Sequence, residues 1–262
     1  MERLIVRKEG PDARVSLDRP ELRNALDAAL IAGLGRAFRE LGGDASVRSI
    51  VLSGEGKVFC AGADVNWMRA SLGLSAEENR KDAQNLADML RAIDECPKPV
   101  IGRVQGAAMG GGAGLVAVCD MVVAAEDAKF AFSEVRLGIL PAVISGFVLP
   151  KIGAGQARRY FLTAEVFSAA RAREIGLVHE VVPADRLDAA VQELAGAVRN
   201  NGPLAVAEAK ALIRAVASMD REDALRRSVE TIARVRTSPE GQEGLRAFLD
   251  KRPPSWFPKE IR

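Results

Sequence analysis

Apolar and polar residues in the first 180 positions alternate between strand-like and helix-like patterns. Two short apolar runs around the turn at 9–12 predict a hairpin. Apolar residues spaced three and four positions apart predict helices over 27–41 and 77–93. The predicted strands are Leu4–Val6, Ala13–Leu17, Ser49–Leu52, Pro99–Val104, Met121–Ala125, Lys129–Phe132 and Leu177–Val182. Strands that alternate with helices in this way indicate an α/β architecture.

The pattern changes after about residue 185, where strand signals stop and only helical periodicity remains. The predicted helices are 186–199, 203–217, 222–236 and 240–250, and Pro203 and Pro239 suit positions in or beside first turns. We therefore expect an α/β core over residues 1–200 and a helical region over 201–262. We expect a long loop over 54–75, and loops of that length are usually functional or mobile.

Composition excludes several classes of function. The 262 residues carry a net charge of +2 and 5% aromatic residues, which argues against nucleic-acid partners. The chain has one histidine, His179, so a site with several histidine ligands is excluded and we expect no metal. His179 lies in a predicted strand, where a structural, hydrogen-bonded side chain is a better interpretation than a catalytic base.

The cysteines and the amino terminus predict the compartment. Cys60, Cys96 and Cys119 form no CxxC pair, and an odd number argues against a disulfide framework, so we expect buried, reduced thiols. The first eight residues are charged and lack the apolar segment of a signal peptide. No apolar run approaches the ~20 residues of a membrane span. These features predict a cytoplasmic protein with no membrane partner.

Two glycine-rich segments follow predicted strands. The run 110–114 has the context of a helix start, where free backbone N–H groups can bind a phosphate or an oxyanion. Close packing of a helix on a strand explains the same glycines equally well. The loop 60–64 is also built from small residues. Both segments would lie at the carboxyl edge of a parallel sheet, where one N–H group from each could form an oxyanion hole.

Glu134 is the candidate acid or base. It lies beside a short apolar strand, and a carboxylate among apolar neighbours tends to keep its proton and can exchange it with a substrate. The alternative is a structural glutamate that pairs with Arg103 or Arg136. The sequence pattern alone leaves both interpretations open.

Taken together, the motifs resemble the crotonase (enoyl-CoA hydratase/isomerase) superfamily. The motifs are 24–26 (NAL), 59–64 (FCAGAD), 106–112 (GxxxGGG), 119–120 (CD), 133–138 (SExxLG) and 176–178 (GLV). The likeness covers almost the whole chain. It implies a spiral of ββα units and a helical carboxyl-terminal region that builds a homotrimer or a hexamer. It also implies an acyl-CoA substrate, with coenzyme A as part of that substrate and no separate cofactor.

The resemblance also implies roles for individual residues. Ala63 and Gly111 would donate the two N–H groups of the oxyanion hole, and Glu134 would exchange a proton with the substrate carbon. The tail would reach the nucleotide end of CoA, usually in a neighbouring subunit. The residues implied in substrate binding are Arg23, Ala25, Ala61, Asp64, Val65, Gly114, Leu137, Pro141, Phe248 and Lys251.

The chain departs from the family pattern at two places. Hydratases of this family commonly carry a second glutamate at the position of Gly114, so we expect empty space there. The segments 138–145 and 66–68 resemble the bacterial branch that hydrates methylglutaconyl-CoA or isohexenylglutaconyl-CoA, whose substrates carry a second carboxylate.

The favoured function is addition of water to a 2-enoyl-CoA. An enoyl-CoA isomerase is the nearest alternative, because one carboxylate suffices to move a proton between two carbons. A noncatalytic acyl-CoA- or RNA-binding protein of the same fold is the third, and the low charge and few aromatic residues disfavour RNA.

Overall fold

A computed structural model describes residues 3–257 and contains two β-sheets. The larger sheet has six strands in the order β1-β2-β3-β4-β6-β9, with β1 and β2 antiparallel and the remaining neighbours parallel. The smaller sheet has the order β5-β7-β8. The strands are β1 Leu4–Glu9, β2 Asp12–Leu17, β3 Ser49–Gly54, β4 Val100–Val104, β5 Ala107–Met109, β6 Met121–Ala125, β7 Lys129–Ala131, β8 Phe167–Ser168 and β9 Glu180–Val182.

Ten α-helices surround these sheets in the described part of the chain. They are α1 Ala28–Gly43, α2 Val65–Ser71, α3 Ala76–Asp94, α4 Gly111–Ala117, α5 Ala142–Thr163, α6 Ala169–Glu174, α7 Leu187–Arg199, α8 Pro203–Val216, α9 Arg221–Thr237 and α10 Pro239–Leu249. The mixed α/β fold and the helical carboxyl-terminal region therefore agree with the prediction from the sequence.

Several parts of the fold differ from the prediction. The elements β5, β8 and α6 were not predicted, and the strand predicted over Leu177–Val182 is limited to β9. The segment 54–75 is not one long loop, because Asp64 caps a short helix, α2, with hydrogen bonds from the amides of Asn66 and Trp67. The sequence pattern gave no prediction for α5, which contains Pro150 and bends at Gly153, where φ is +72°. Proline and glycine disrupt regular helical hydrogen bonding, so this helix lacks the usual signature.

The main core lies between the large sheet and the helices α1, α3, α4 and α5. A second apolar cluster joins the other face of the sheet to α7, through residues such as Val51, Ile101 and Val191. Parallel strands buried on both faces explain the continuous apolar runs in the sequence. The last three helices pack mainly on one another, α8 against α9 and α9 against α10. Within residues 3–257, no helix combines the length and apolar character that a membrane span requires.

Candidate active site

The two glycine-rich segments meet at the carboxyl edge of the large sheet, as predicted. The first follows β3, and the second follows β4 and the short strand β5. The strands β3 and β4 are parallel neighbours. The two segments remain hydrogen-bonded to each other after the strands end, because Cys60 N–H donates to Ala107 C=O and Met109 N–H donates to Cys60 C=O, both at 3.0 Å. A β-carbon on Gly62 would lie 2.9 Å from the carbonyl oxygen of Met109. The close approach of the two segments therefore requires glycine at this position.

Asn24 fixes the loop that follows β3. Asn24 is fully buried and adopts a left-handed backbone conformation (φ +56°), which asparagine tolerates better than most residues. The side-chain amide donates to the carbonyl groups of Glu55 (2.8 Å) and Val58 (2.7 Å) and accepts from the N–H of Arg19. One buried side chain thus satisfies three backbone groups around the entrance to the site, which explains the NAL motif.

A buried ion pair holds the end of the same loop. Arg19 Nη2 donates to Asp64 Oδ2 at 2.7 Å, and both side chains are almost fully buried. Burial alone would raise the pKa of Asp64, but hydrogen bonds from Arg19 and from the first amides of α2 lower it below its usual range. The carboxylate of Asp64 is therefore engaged in orienting the chain, although the sequence resemblance implies that this residue contacts CoA.

The backbone of Ala63 has a defined orientation. Leu26 N–H donates to Gly62 C=O at 2.7 Å, and Asp64 N–H donates to Leu26 C=O at 2.8 Å. Because consecutive peptide groups of an extended chain point in opposite directions, the N–H of Ala63 points away from Leu26. Within residues 3–257, no hydrogen-bond partner is recorded for this N–H.

The glycine run at 110–112 allows close packing of α4 and leaves a free backbone N–H group at the site. A β-carbon on Gly112 would lie 2.9 Å from the Cβ of Cys60, so Gly112 is needed for close packing of α4. Gly110 has φ +49°, and its N–H donates to Ala131 C=O at 2.8 Å. Gly111 is the first residue of α4, where the N–H has no partner within its own helix. No bond from this N–H is recorded in the described part of the chain.

Glu134 lies beside these glycines, on the short 3-10 turn Glu134–Leu137. A β-carbon on Gly110 would lie 3.3 Å from Glu134 Oε1, so the carboxylate is next to the start of α4. Glu134 Oε2 is buried and has no hydrogen-bond partner among the described residues, which include Arg103 and Arg136. Arg103 instead pairs with Asp188, and Arg136 donates to Ala164 C=O. Burial raises the pKa of Glu134.

A cavity of about 440 Å³ opens at this point. Six of the sequence-predicted residues line it together: Ala61, Ala63, Gly111, Glu134, Leu137 and Pro141. Most of the remaining lining side chains are apolar and come from α2, α3, α5 and the segment 137–141, among them Trp67, Met68, Leu86 and Ile144. The volume and the apolar walls are typical of a small-molecule site.

The space beside Gly114 is filled, so the expectation of empty space there was wrong. A β-carbon on Gly114 would overlap Cγ2 of Ile144 and would lie 3.1 Å from its Cβ. Ile144 belongs to α5, is 2% exposed, and also lines the cavity. The apolar side chain of Ile144 therefore occupies the volume into which a side chain at position 114 would extend.

The other predicted binding residues lie outside the cavity wall. Arg23 C=O accepts from Ala61 N–H at 3.0 Å, and Ala25 is buried beside the same loop, so both adjoin the site. Val65 begins α2 and is exposed. Phe248, at the end of α10, is 81% exposed, and Lys251 follows with φ +54°. Within residues 3–257 neither of the last two lines the cavity.

The single histidine and the cysteines have structural environments. His179 Nδ1 accepts from Val122 N–H at 3.1 Å, as expected for a structural histidine, although His179 lies just before β9 and not within a strand. The three cysteines are free and buried, as predicted. Burial raises the pKa of the Cys60 and Cys119 thiols to about 12, so both remain protonated at neutral pH. Among residues 3–257, His, Cys, Asp and Glu side chains form no cluster of three that could hold a metal ion.

Three polar residues of the cavity wall were missed by sequence reasoning. Ser71 ends α2, and Asn79 and Asp82 lie on α3, on the face that also carries Ala83 and Leu86. On α3, Asp82, Ala83 and Leu86 follow Asn79 by three, four and seven positions, and this spacing would have placed the four residues on one face of the helix. Polar residues on an otherwise charged helix look like a solvated surface, however, and no motif distinguishes them.

Comparisons with known proteins agree with this geometry. Residues 10–259 match the family model described as enoyl-CoA hydratase/isomerase. Crotonyl-CoA hydratase of Syntrophomonas wolfei is 34% identical over 98% of this chain and 99% of its own length. The 2,3-dehydroadipyl-CoA hydratase of Escherichia coli is 33% identical over 98% and 99%. The crystal structure of an enoyl-CoA hydratase from Shewanella pealeana superposes with a TM-score of 0.94 and 40% identity, covering 97% of this chain and 96% of that one. The chain belongs to the enoyl-CoA hydratase/isomerase family.

Proposed function

We propose that this protein is an enoyl-CoA hydratase that adds water across the double bond of a 2-enoyl-CoA. The observation that carries the proposal is the position of Glu134, whose unpartnered, buried carboxylate oxygen lies beside the start of α4 at the edge of an apolar cavity. The backbone N–H groups of Ala63 and Gly111 border the same cavity without recorded partners in residues 3–257.

The reaction needs a base for water and a site for negative charge. The ionised carboxylate of Glu134 takes a proton from water while the water oxygen bonds to the β-carbon of the substrate. The electrons of the double bond move toward the thioester, whose oxygen becomes negative and accepts hydrogen bonds from Ala63 and Gly111. Glu134 then returns the proton to the α-carbon. Preorganised main-chain donors suit this charge, since losing one typically costs about 100- to 1,000-fold in rate.

The raised pKa of Glu134 supports this role. A carboxylate whose pKa lies nearer to neutrality is a stronger base when it is ionised and a competent acid when it is protonated. One carboxylate can therefore serve both half-reactions. The apolar side chains that α5 contributes lower the polarity of the cavity, which strengthens the interaction of the developing charge with its donors.

An enoyl-CoA isomerase is the second candidate, and Ile144 is the observation that favours it. Its side chain leaves no room for a carboxylate at position 114, so a second acid or base of the usual kind is absent from that position. Moving a proton between the α- and γ-carbons requires one carboxylate and no water. The two reactions share the same oxyanion site and differ in whether water enters.

Supplying 2-enoyl-CoA and 3-enoyl-CoA separately distinguishes these functions. A hydratase lowers the absorbance of the conjugated enoyl thioester when it is given crotonyl-CoA. Conversion of 3-enoyl-CoA to 2-enoyl-CoA without hydration of the latter would overturn the hydratase proposal. Binding of acyl-CoA with neither conversion would favour the noncatalytic alternative.

The remaining proposals concern the substrate and the assembly. The sequence motifs suggest a branched or carboxylated acyl chain, such as that of methylglutaconyl-CoA, and the largely apolar lining of the cavity supports a branched, uncharged chain. Self-association as a homotrimer or hexamer through the helices α8, α9 and α10 is supported by exposed apolar residues such as Ile213, Val229 and Phe248. In such an assembly Phe248 and Lys251 would contact CoA held by a neighbouring subunit. Residues 258–262 of the region 201–262 expected from the sequence lie outside the described residues. We also propose that the protein is located in the cytoplasm, as the sequence predicts.

A further inference from the structure

Ser71, Asn79 and Asp82 form a polar part of the cavity wall, which we call the α2–α3 wall. It is separate from Glu134 and from the candidate oxyanion donors. All three residues line the same cavity as Glu134, with Ser71 on α2 and both Asn79 and Asp82 on α3. They are the polar part of a wall that otherwise consists of apolar side chains such as Trp67 and Leu86. Because the reacting groups lie on other elements, the acyl chain is the part of a substrate that this wall can contact.

The hydrogen-bonding groups of this wall have only accepting capacity left. Ser71 donates its hydroxyl proton to Met68 C=O at 2.7 Å. Asn79 Nδ2 donates to the carbonyl groups of Leu74 and Ser75, both at 3.1 Å, so its Oδ1 remains as an acceptor. Since both partners are carbonyl oxygens, the orientation of this amide is fixed by its bonds.

Asp82 adds a negative charge to the same wall. Asp82 is half-buried, and its carboxylate forms no ion pair or hydrogen bond with the described residues 3–257. Two nearby cations are directed elsewhere, because Arg80 pairs with Glu77 and Arg69 donates to Asn66, and the adjacent Lys81 is exposed and does not line the cavity. No lysine or arginine lines the described cavity.

We infer that Asp82 makes the site selective for acyl chains without a distal carboxylate. A distal carboxylate at the α2–α3 wall would meet the like charge of Asp82 and two oxygens, Ser71 Oγ and Asn79 Oδ1, that can only accept hydrogen bonds, so the cost of removing it from water would not be recovered there. The inference rests on the proposed function and narrows its substrate class to 2-enoyl-CoAs with uncharged acyl chains. It argues against the dicarboxylic substrates that the sequence motifs suggest.

The decisive measurement is binding of three saturated acyl-CoAs of equal chain length, which cannot react. The acyl chain of pentanoyl-CoA is uncharged and apolar, that of glutaryl-CoA carries a distal carboxylate, and that of 5-hydroxypentanoyl-CoA is uncharged but polar and can donate a hydrogen bond. Dissociation constants are measured by calorimetry for the wild-type protein, for Asp82→Asn and for Asp88→Asn. Asp88 is the matched control, because it is on the same helix but does not line the cavity.

We expect wild-type protein to bind glutaryl-CoA at least about tenfold more weakly than pentanoyl-CoA, with a much smaller penalty for the hydroxylated chain. The glutaryl-to-pentanoyl ratio should fall at least about fivefold in Asp82→Asn and stay unchanged in Asp88→Asn. An unchanged ratio in Asp82→Asn, an equal penalty for the hydroxylated chain, or tighter binding of glutaryl-CoA by the wild type would overturn the inference.

Turnover of pent-2-enoyl-CoA is measured separately on the same proteins. If the wild type binds the three saturated ligands with the expected ratios but hydrates no enoyl-CoA, the proposed function fails while the selectivity stands. If hydration occurs and the ratios do not depend on Asp82, the selectivity fails while the proposed function stands.

Discussion

The side chain of Ile144 occupies the volume that a β-carbon on Gly114 would need, although the two residues lie on different helices, α5 and α4. The contact joins the helix that begins at the candidate oxyanion donor to the helix that forms one wall of the cavity. Glycine at position 114 is therefore a packing requirement of this chain.

This contact predicts compensating substitutions. Gly114→Ala should lower the free energy of unfolding by about 1–3 kcal/mol because it overpacks the contact. Ile144→Ala should lower it by about 2–5 kcal/mol because it leaves a cavity. The double variant should lose less than the sum of the two, since the added methyl group enters the vacated space. Denaturant unfolding of all four proteins measures this coupling, and strict additivity would contradict the predicted contact.

Removal of the Glu134 carboxylate should abolish most of the proposed activity. Glu134→Gln should lower kcat/KM for crotonyl-CoA by about 100- to 10,000-fold, the usual contribution of an acid–base group. Glu126→Gln changes the same charge at an exposed position and should leave kcat/KM unchanged. In the wild type, kcat/KM should fall with decreasing pH below the raised pKa of Glu134, because the base must be ionised. Retention of wild-type turnover in Glu134→Gln would remove this residue from the mechanism.

Glu134→Gln should raise the free energy of unfolding at neutral pH, although it lowers the activity. Burial raises the pKa of Glu134 in the folded protein, so the folded state binds this proton more tightly than the unfolded chain. The stabilisation is complete below the unfolded pKa and is lost as the pH rises through the folded pKa. Glu134→Gln should therefore be more stable than the wild type at pH 7, with a smaller difference near pH 4. Urea unfolding at the two pH values measures this, and a destabilised variant at pH 7 would contradict the cost of the buried charge.

Asn24 should be important for both stability and activity. Asn24→Ala leaves the carbonyl groups of Glu55 and Val58 without their donor, and each unsatisfied buried group costs about 1–3 kcal/mol. The loop that carries Ala63 would lose an anchor, so kcat/KM should also decrease. Asn79→Ala serves as a comparison, because the bonds of Asn79 are at the exposed start of α3. A loss of unfolding free energy no larger than that of Asn79→Ala would show that the Asn24 bonds are dispensable.

The sequence predicted those features that depend on local periodicity. Strand β6, Met121–Ala125, and the helices after residue 185 carry regular patterns, and the structure contains them. The helix α5 carries Pro150 and Gly153, which obscure its periodicity, and α2 has only seven residues. The two segments at the carboxyl edge could be placed together because strand direction determines which loops are neighbours.

Properties that depend on distant pairs could not be predicted. Arg19 and Asp64 are separated by 45 positions, and only the fold shows that their charges pair. The filling of the space at Gly114 depends on Ile144, on another helix. Asp82 has the character of a surface residue in the sequence, and its place in the cavity follows from how α3 packs.

The hydrogen bonds between Leu26 and the peptides on either side of Ala63 have a consequence for how this protein can change. The donor at Ala63 is a main-chain group whose direction is set directly by other main-chain groups, while the side chains of Asn24, Arg19 and Asp64 hold the loop that carries it. Many of the side chains that line the cavity lie on α2, α3 and α5. In the enzyme proposed above, substitutions on these helices would therefore change the range of acyl chains without altering the main-chain donors.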